Sequence, residues 1–217
     1  MPVRLPPLRA VVFDLDGTLI DSLPLVLRAH HHALAPFHPP LTDAQMFARF
    51  GGPPARTLAA LLGNADHTAE ALRRMEDYWA AHAHEALMFA GASELLASLR
   101  AGGRGLGLWT GRDRATTEQV LTAHALRVDA AVCGDDLPTH KPDAAGLREI
   151  LSSLAVRADE ALYVGDAEVD VLAGVACGVR TVLIRHGRTV AADVLAQAWR
   201  VVETPGEAYA VVAGEAV

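Results

Sequence analysis

The sequence predicts an α/β fold in which helices cover both faces of a parallel sheet and an all-helical segment is inserted near the start. Short apolar runs alternate with helical segments over residues 91–202, the pattern of a parallel sheet. One earlier apolar run, at 11–13, is separated from them by the long stretch 22–87, which contains no strand candidate. Hydrophobic residues make up 51% of the 217 residues, enough to build the core of a domain of this size.

The inserted stretch contains four predicted helices. Asp21 or Ser22 is a candidate N-cap of the first, and Pro24 lies in its first turn, where proline is tolerated. Proline and glycine then interrupt the pattern between successive helices, as expected for helix ends. The four helices are predicted over residues 22–35, 42–49, 55–62 and 67–86.

The remainder of the chain supplies the predicted sheet. Strands are predicted at 11–13, 104–109, 130–133, 161–164, 179–184 and 200–202. Helices are predicted at 92–100, 114–124, 143–154 and 169–177, the third with Asp143 as its cap. We therefore expect a core made of residues 1–20 and 88–217, and a helical cap made of residues 21–87.

Composition and charge exclude several classes of protein. A formal charge of −7 argues against a nucleic-acid binder with a basic surface. No apolar run approaches the roughly 18 residues of a membrane span, and the first residues lack the apolar centre of a signal peptide. The two cysteines, Cys133 and Cys177, are too few for a disulfide framework and are typical of reduced core thiols. These features predict a cytoplasmic protein with neither nucleic-acid nor membrane partners.

The first strand ends in the most informative motif of the chain, Asp14-Leu15-Asp16-Gly17-Thr18. A loop begins at the glycine, so both aspartates lie at the carboxyl edge of the sheet, where open α/β sheets bind ligands. Carboxylates this close repel each other unless a positive charge compensates them. Oxygen ligands favour a hard cation such as Mg²⁺. An acidic turn without a ligand is the alternative interpretation of this motif alone.

Later strand ends also carry polar residues, and parallel strands bring them to the same edge. They are Thr110 with Gly111, Lys141, and Asp166 with Asp170. Each has an ordinary explanation: a turn, a solvated lysine, or a helix cap for Asp170. Their order and placement together favour a site, and Lys141 is the one lysine among 19 basic residues, which suggests a need for a compact ammonium there.

These motifs resemble those of the haloacid dehalogenase-like hydrolases, over essentially the whole chain. The closest similarity is to the phosphoglycolate phosphatase-like and β-phosphoglucomutase-like members, which carry a helical cap on a Rossmann-like core. The motifs that carry the resemblance are Asp14-Leu15-Asp16-Gly17-Thr18, Thr110 after Leu106-Gly107-Leu108-Trp109, Lys141-Pro142, and Gly165-Asp166 with Asp170.

The resemblance implies a role for each acidic residue. Asp14 would be the nucleophile that attacks phosphorus and forms an aspartyl-phosphate. Asp16 would protonate the leaving alcohol and then deprotonate the attacking water. Mg²⁺ would be held by the Asp14 carboxylate, the Asp16 backbone carbonyl and Asp166, with Asp170 acting through a bound water or by supporting a ligand.

The resemblance also implies which groups bind the phosphoryl oxygens: the Thr110 hydroxyl, the Gly111 N–H and the Lys141 ammonium. Positioning and charge neutralisation are the main requirements of phosphoryl transfer. Lys141 would in addition offset the clustered carboxylates.

Three further features are open to more than one interpretation. Arg112 could reach the substrate or face solvent, and solvent or structure is the favoured interpretation. Arg56, in the cap segment 50–56 where such enzymes select substrates, could bind a second anionic group but is more typical of a surface residue. His30, His31 and His32 are consecutive in a helix, so their side chains diverge and disfavour a metal site.

The predicted function is therefore a Mg²⁺-dependent phosphatase acting on a small phosphorylated metabolite, of the phosphoglycolate or sugar-phosphate type. A sugar phosphomutase uses the same aspartates and is the nearest alternative. A haloacid dehalogenase has no use for Asp16 or the metal site, and a phosphonate-cleaving relative would need a cap lysine. A non-catalytic phosphate-binding protein is the alternative from another class. The sequence leaves open which phosphoester is cleaved, and whether the protein is a monomer or a homodimer.

Overall fold

The computed structural model describes residues 6–216 apart from 48, 50–53 and 64–65. The strands are β1 (Ala10–Phe13), β2 (Ile20–Asp21), β3 (Leu87–Met88), β4 (Gly105–Trp109), β5 (Ala130–Val132), β6 (Ala161–Gly165), β7 (Arg180–Ile184) and β8 (Arg200–Val202). Six of them form a parallel sheet in the order β5-β4-β1-β6-β7-β8. The strand that carries the aspartate motif, β1, is therefore central, between β4 and β6.

The helices of the described part follow the predicted alternation. They are α1 (Leu23–Leu34), α2 (Asp43–Phe47), α3 (Pro54–Leu62), α4 (Thr68–His82), α5 (Ala92–Ala101), α6 (Arg114–Ala123), α7 (Ala145–Ser153), α8 (Glu168–Cys177), α9 (Ala192–Leu195) and α10 (Pro205–Glu215). Short 3-10 turns lie at Ala83–Glu85 and Ala158–Glu160. The predicted α/β fold is confirmed, with α9 and α10 outside the segments predicted from the sequence.

Helices cover both faces of the sheet, as the pattern of buried residues shows. Side chains alternate between the faces of a strand. Val11 and Phe13 of β1 belong to one apolar cluster with residues of α5 and α10, whereas Val12 belongs to a second cluster with residues of α7. The first cluster continues into the inserted helices through residues such as Leu25 and Met75, so the insertion and this face of the sheet share one core.

The inserted helices α1 to α4 are bracketed by a two-stranded antiparallel ribbon, in which Ile20 pairs with Met88 and Asp21 with Leu87. The sequence predicted no strand between residues 22 and 87. That prediction is wrong at its last residue, because Leu87 pairs with Asp21 of β2 and so belongs to a strand. The proposed boundaries at 20/21 and 87/88 fall within this ribbon, and the division into core and cap stays a prediction.

Helix caps differ in detail from the prediction. Ser22 is the N-cap residue of α1, one of the two predicted, but its side chain makes no capping hydrogen bond. The N-cap of α7 is Ala144 rather than Asp143, although the Asp143 carboxylate accepts a hydrogen bond from the Ala145 N–H (2.8 Å). The Ser22 hydroxyl instead contributes to lowering the pKa of Asp16.

Two further expectations concern the whole chain. Cys133 and Cys177 are both free thiols, as predicted. Among the described helices, none has the length and apolarity that crossing a membrane requires.

Candidate active site

Asp14 directly follows the central strand, and Lys141 holds its side chain. The Asp14 N–H donates to the Val164 carbonyl (2.8 Å), which fixes the loop against β6. Lys141 Nζ lies 2.8 Å from Asp14 Oδ1 and 2.8 Å from Asp170 Oδ1. All three side chains are at most 10% exposed. One buried ammonium thus joins two buried carboxylates that are 156 positions apart in the sequence.

The proton affinities of this group follow from burial and charge. Burial raises the pKa of Asp14, Lys141 opposes this, and the carboxylates of Asp170 and Asp166 add to the increase. Burial alone would lower the pKa of Lys141, but Asp14 and Asp170 outweigh it and raise that pKa. The ammonium therefore remains charged, and additional positive charge near Asp14 would favour its ionised form.

Asp170 is 1% exposed and bonded on both oxygens. Its Oδ1 accepts from the Tyr163 hydroxyl (2.6 Å) as well as from Lys141, and its Oδ2 accepts from the Ala167 N–H (3.0 Å) at the start of α8. Asp170 therefore both caps the start of α8, as considered from the sequence, and belongs to the site through Lys141. A Cβ at Gly165 would lie 2.4 Å from Asp170 Cγ, so glycine is needed there for the carboxylate to approach the strand.

We expect Tyr163→Phe to lower the free energy of unfolding by about 1–3 kcal/mol, because the buried Asp170 carboxylate loses a donor. Burial first, and then the nearby carboxylates, raise the pKa of Tyr163, so the hydroxyl keeps its proton for this bond. Urea denaturation measures the change. Tyr209→Phe is the matched control: its buried hydroxyl donates to the neutral Thr18 carbonyl (2.6 Å), and its loss should cost less. Equal losses would contradict a special role for the Tyr163–Asp170 bond.

Asp166 lies at the end of β6 and is paired with Arg188. Arg188 Nη2 donates to Asp166 Oδ2 (2.7 Å) and to its carbonyl oxygen (2.5 Å). Burial raises the pKa of Asp166, and Arg188 opposes this increase. Gly17 has φ +76°, and a Cβ there would lie 2.2 Å from Asp166 Oδ2, so this glycine is required both for the turn and for the approach of the carboxylate.

The carboxylates of Asp14, Asp166 and Asp170 could together hold a metal ion. One oxygen of each lies within 4.8 Å of the others. With all three ionised, the cations of Lys141 and Arg188 leave one negative charge uncompensated. An all-oxygen donor set with excess negative charge suits a hard divalent cation. The Asp16 carboxylate is outside this group, consistent with the expectation that Asp16 would offer its backbone carbonyl instead.

Asp16 faces a different cation. Arg112 donates from Nε and Nη2 to its two oxygens, at 3.1 and 2.5 Å. Burial would raise the pKa of Asp16, but Arg112, helped by the Ser22 hydroxyl, lowers it. The expectation that Arg112 faces solvent or serves structure alone is wrong in its first part: the side chain is 9% exposed. The interaction that buries it is a long-range ion pair that the sequence pattern does not reveal.

Thr110 and Gly111 follow β4, next to Asp14. Thr110 is buried, its N–H donates to the Val132 carbonyl (3.1 Å), and its Oγ1 accepts from the Arg112 N–H (3.1 Å). An added Cβ at Gly111 would meet no atom within 4 Å. Gly111 is exposed, so its backbone is open to solvent at the carboxyl end of β4.

Comparison with known proteins places the chain in a family. Residues 11–184 match the family model described as "Haloacid dehalogenase-like hydrolase". The chain belongs to the haloacid dehalogenase-like hydrolases. It is 36% identical over 193 residues to a Rhodospirillum rubrum protein named phosphoglycolate phosphatase, covering 82% of this chain and 80% of that protein. A Cereibacter sphaeroides protein of the same name is 38% identical over 196 residues, covering 82% of this chain and 85% of that one.

A solved structure has the same fold. The haloacid dehalogenase-like family hydrolase of Streptococcus pneumoniae superposes with a TM-score of 0.78 at 25% identity, covering 94% of this chain and 98% of that one. Membership of this hydrolase family is thus supported by sequence over most of the chain and by the arrangement of its elements.

In this haloacid dehalogenase-like chain, the structure gathers nearly all of the predicted site residues at the carboxyl edge of the sheet. They are Asp14, Asp16, Thr110, Gly111, Arg112, Lys141, Asp166 and Asp170. Arg56 is exposed in α3, and within the described residues no hydrogen bond or ion pair joins it to Asp14, Asp16 or Lys141. Its role stays a prediction, and residues 50–53 of its loop lie outside the described part.

The three consecutive histidines have separate surroundings. His30 Nδ1 lies 2.8 Å from the Val26 carbonyl oxygen, and His31 pairs with Asp43 (3.2 Å). The His32 ring lies beside that of Tyr78. The three side chains thus have different neighbours, and the interpretation against a shared metal site stays a prediction.

Sequence reasoning missed several residues that contact the site. Tyr163 could have been suspected, because a tyrosine in a fully buried strand needs a partner for its hydroxyl. Arg188 lies in the loop after β7, and Trp79 lies in α4, where its ring is 4.0 Å from the Arg112 guanidinium carbon. Neither of these two has a local sequence signal.

Proposed function

We propose that this chain is a Mg²⁺-dependent phosphatase that hydrolyses the monoester of a small phosphorylated metabolite through an aspartyl-phosphate on Asp14. The observation that carries the proposal is the Asp14–Lys141–Asp170 group at the end of the central strand, with the Asp166 carboxylate close to it. Two relatives named phosphoglycolate phosphatase support this class of substrate, and phosphoglycolate is the first candidate.

In the first half-reaction, an Asp14 oxygen attacks phosphorus and the bond from phosphorus to the ester oxygen breaks. The Asp16 carboxyl gives its proton to the departing alkoxide, which leaves as the alcohol. Lys141, the Thr110 hydroxyl and the Gly111 N–H bind the other phosphoryl oxygens and stabilise the charge that they carry. The product of this step is a phosphoryl group bound covalently to Asp14.

In the second half-reaction, a water molecule attacks the phosphorus of the aspartyl-phosphate. Asp16, now a carboxylate, takes a proton from the water, the bond between Asp14 and phosphorus breaks, and inorganic phosphate leaves. Asp14 is thereby restored as a carboxylate and Asp16 as an acid. The same two aspartates serve both halves because the acid of the first step has become the base required by the second.

Asp14, Asp166 and the backbone carbonyl of Asp16 would hold Mg²⁺, with Asp170 in support. When bound, the ion supplies positive charge that shields the repulsion between the Asp14 carboxylate and the phosphoryl oxygens. Lys141 and Arg188 together leave one of the three carboxylates uncompensated, which is why the residues present favour a divalent ion.

The direct test is phosphate release from phosphoglycolate, hexose phosphates and other phosphorylated metabolites, with Mg²⁺ and with EDTA. We expect turnover with Mg²⁺ and its loss in EDTA. Conversion of a sugar phosphate into its isomer without net phosphate release would indicate a phosphomutase instead. Absence of both reactions in the folded protein would contradict the proposal and favour a non-catalytic phosphate-binding protein.

Mg²⁺ should also stabilise the fold, because an ion that binds only the native state raises the free energy of unfolding. We expect saturating Mg²⁺ to raise the melting temperature, and Asp166→Asn to remove most of this increase. Asp77→Asn, which deletes an exposed carboxylate of α4, is the matched control and should keep it. The same increase in all three proteins would argue against the proposed ligands.

A further inference from the structure

Arg112 is a nearly buried cation between the sheet and the inserted helices. Its guanidinium binds both Asp16 oxygens, and its carbon lies 4.0 Å from the centre of the Trp79 ring, itself 5% exposed. The Trp79 indole covers one face of the guanidinium, and the N–H edge of the guanidinium is directed at the Asp16 carboxylate. This is the geometry in which arginine recognises carboxylates and phosphates with two parallel hydrogen bonds.

The ion pair between Arg112 and Asp16 conflicts with the proton transfers proposed for Asp16. Giving a proton to the leaving group, and then taking one from water, requires an Asp16 oxygen that can reach those atoms. In the structure both Asp16 oxygens accept hydrogen bonds from Arg112. The guanidinium must therefore exchange Asp16 for another partner during the reaction, since an unpaired buried cation is strongly unfavourable.

The leaving group of the substrate can supply that partner. The Arg112 N–H bonds the Thr110 hydroxyl, so its backbone adjoins the proposed phosphoryl site, and its side chain lies on the side of Asp16, where the ester oxygen would be. An Asp16 oxygen that gives its proton to the ester oxygen would lie about 3 Å from it, and Arg112 Nε lies 3.1 Å from Asp16 Oδ2. The guanidinium is thus within about 6 Å of the ester oxygen, close enough for a carboxylate on the adjacent carbon of the substrate to bind it.

We propose that Arg112 is a specificity-determining residue that selects phosphate monoesters with a carboxylate next to the ester carbon–oxygen bond. The substrate carboxylate takes the guanidinium from Asp16 and frees Asp16 for proton transfer, while Trp79 keeps the guanidinium in place. The inference rests on the proposed phosphatase function and narrows it, because sugar phosphates with neutral leaving groups offer Arg112 no second carboxylate.

The test compares two esters that differ only in this group: phosphoglycolate and 2-hydroxyethyl phosphate, in which CH₂OH replaces the carboxylate. We expect the full-length wild type to favour phosphoglycolate in kcat/KM, and Arg112→Gln to lower that preference by about 10- to 100-fold, the loss of a charged hydrogen-bonded pair. Arg112→Lys keeps the positive charge but lacks the two parallel N–H donors of the guanidinium. It should therefore retain part of the preference, mainly because its KM for phosphoglycolate is lower than that of Arg112→Gln.

Arg73→Gln is the matched control, because Arg73 is an exposed arginine of α4 paired with Glu70 and Asp77; its preference should equal that of the wild type. An unchanged preference in Arg112→Gln, or no preference in the wild type, overturns the inference while both esters are still hydrolysed. Failure to release phosphate from any ester instead contradicts the phosphatase proposal itself. If Arg112→Gln does not fold, the preference of Arg112→Lys decides, and a wild-type value overturns the inference.

Discussion

Asp14→Asn is expected to lower kcat by about 10⁴- to 10⁶-fold, the range seen when a catalytic nucleophile is removed. An amide cannot form the acyl-phosphate that an attacking carboxylate forms. Asparagine has nearly the same volume as aspartate and keeps an oxygen that can accept a hydrogen bond from Lys141, whose Nζ lies 2.8 Å from Asp14 Oδ1 in the wild type. We therefore expect the variant to fold. Phosphate release from phosphoglycolate measures the loss, and rapid acid quenching with labelled substrate shows whether label remains on the protein.

Asp16→Asn is the informative partner of this experiment. Asp16→Asn keeps the nucleophile but removes the group that donates and accepts the proton. An ester with a good leaving group, such as p-nitrophenyl phosphate, does not need that proton, so it should still phosphorylate Asp14. The intermediate should then accumulate, because its hydrolysis needs a base. We expect covalent label in Asp16→Asn and none in Asp14→Asn. Turnover in Asp14→Asn above a hundredth of the wild-type value would contradict the nucleophile assignment.

The parts of the fold that depend on local pattern were predictable. Buried strands followed by loops indicated a parallel sheet, and parallel strands bring the residues that directly follow or end them, such as Asp14 and Asp166, to one edge. The resemblance then supplied chemical roles for them. Neither step needs side-chain geometry, because both depend on which residue ends which strand.

The contacts that the sequence did not reveal are long-range pairs between side chains. Arg112 and Asp16 are 96 positions apart, and nothing in Thr-Gly-Arg-Asp indicates which direction the guanidinium takes. Arg188 comes from a loop with no periodic pattern, and the β2–β3 ribbon exists only because the ends of the insertion meet. The unpredicted part of the site thus consists of side chains that contact the predicted residues: Arg188 at Asp166, Tyr163 at Asp170 and Trp79 at Arg112.

Because Lys141 pairs with two buried carboxylates, its replacement has the largest expected effect on stability. Lys141→Met retains much of the buried volume but leaves Asp14 and Asp170 without their shared cation. Breaking a buried ion pair from one side costs about 3–5 kcal/mol, and we expect a loss of that size in the free energy of unfolding, measured by urea denaturation in EDTA. Adding Asp14→Asn to this variant removes one of the stranded charges and should restore part of the stability, as a double-mutant cycle would show. A loss below about 1 kcal/mol in Lys141→Met would contradict the shared-cation role.

Lys141→Arg separates charge from shape. The ammonium lies 2.8 Å from each of two carboxylates and 5.1 and 5.5 Å from the ring centres of Trp109 and Tyr163, a space that suits a compact cation. A guanidinium is wider and planar, and overpacking a buried site typically costs about 1–3 kcal/mol. We therefore expect Lys141→Arg to be less stable than the wild type but more stable than Lys141→Met. Wild-type stability in Lys141→Arg would show that charge alone matters at this position, and the chain's use of one lysine among 19 basic residues would then have no structural reason.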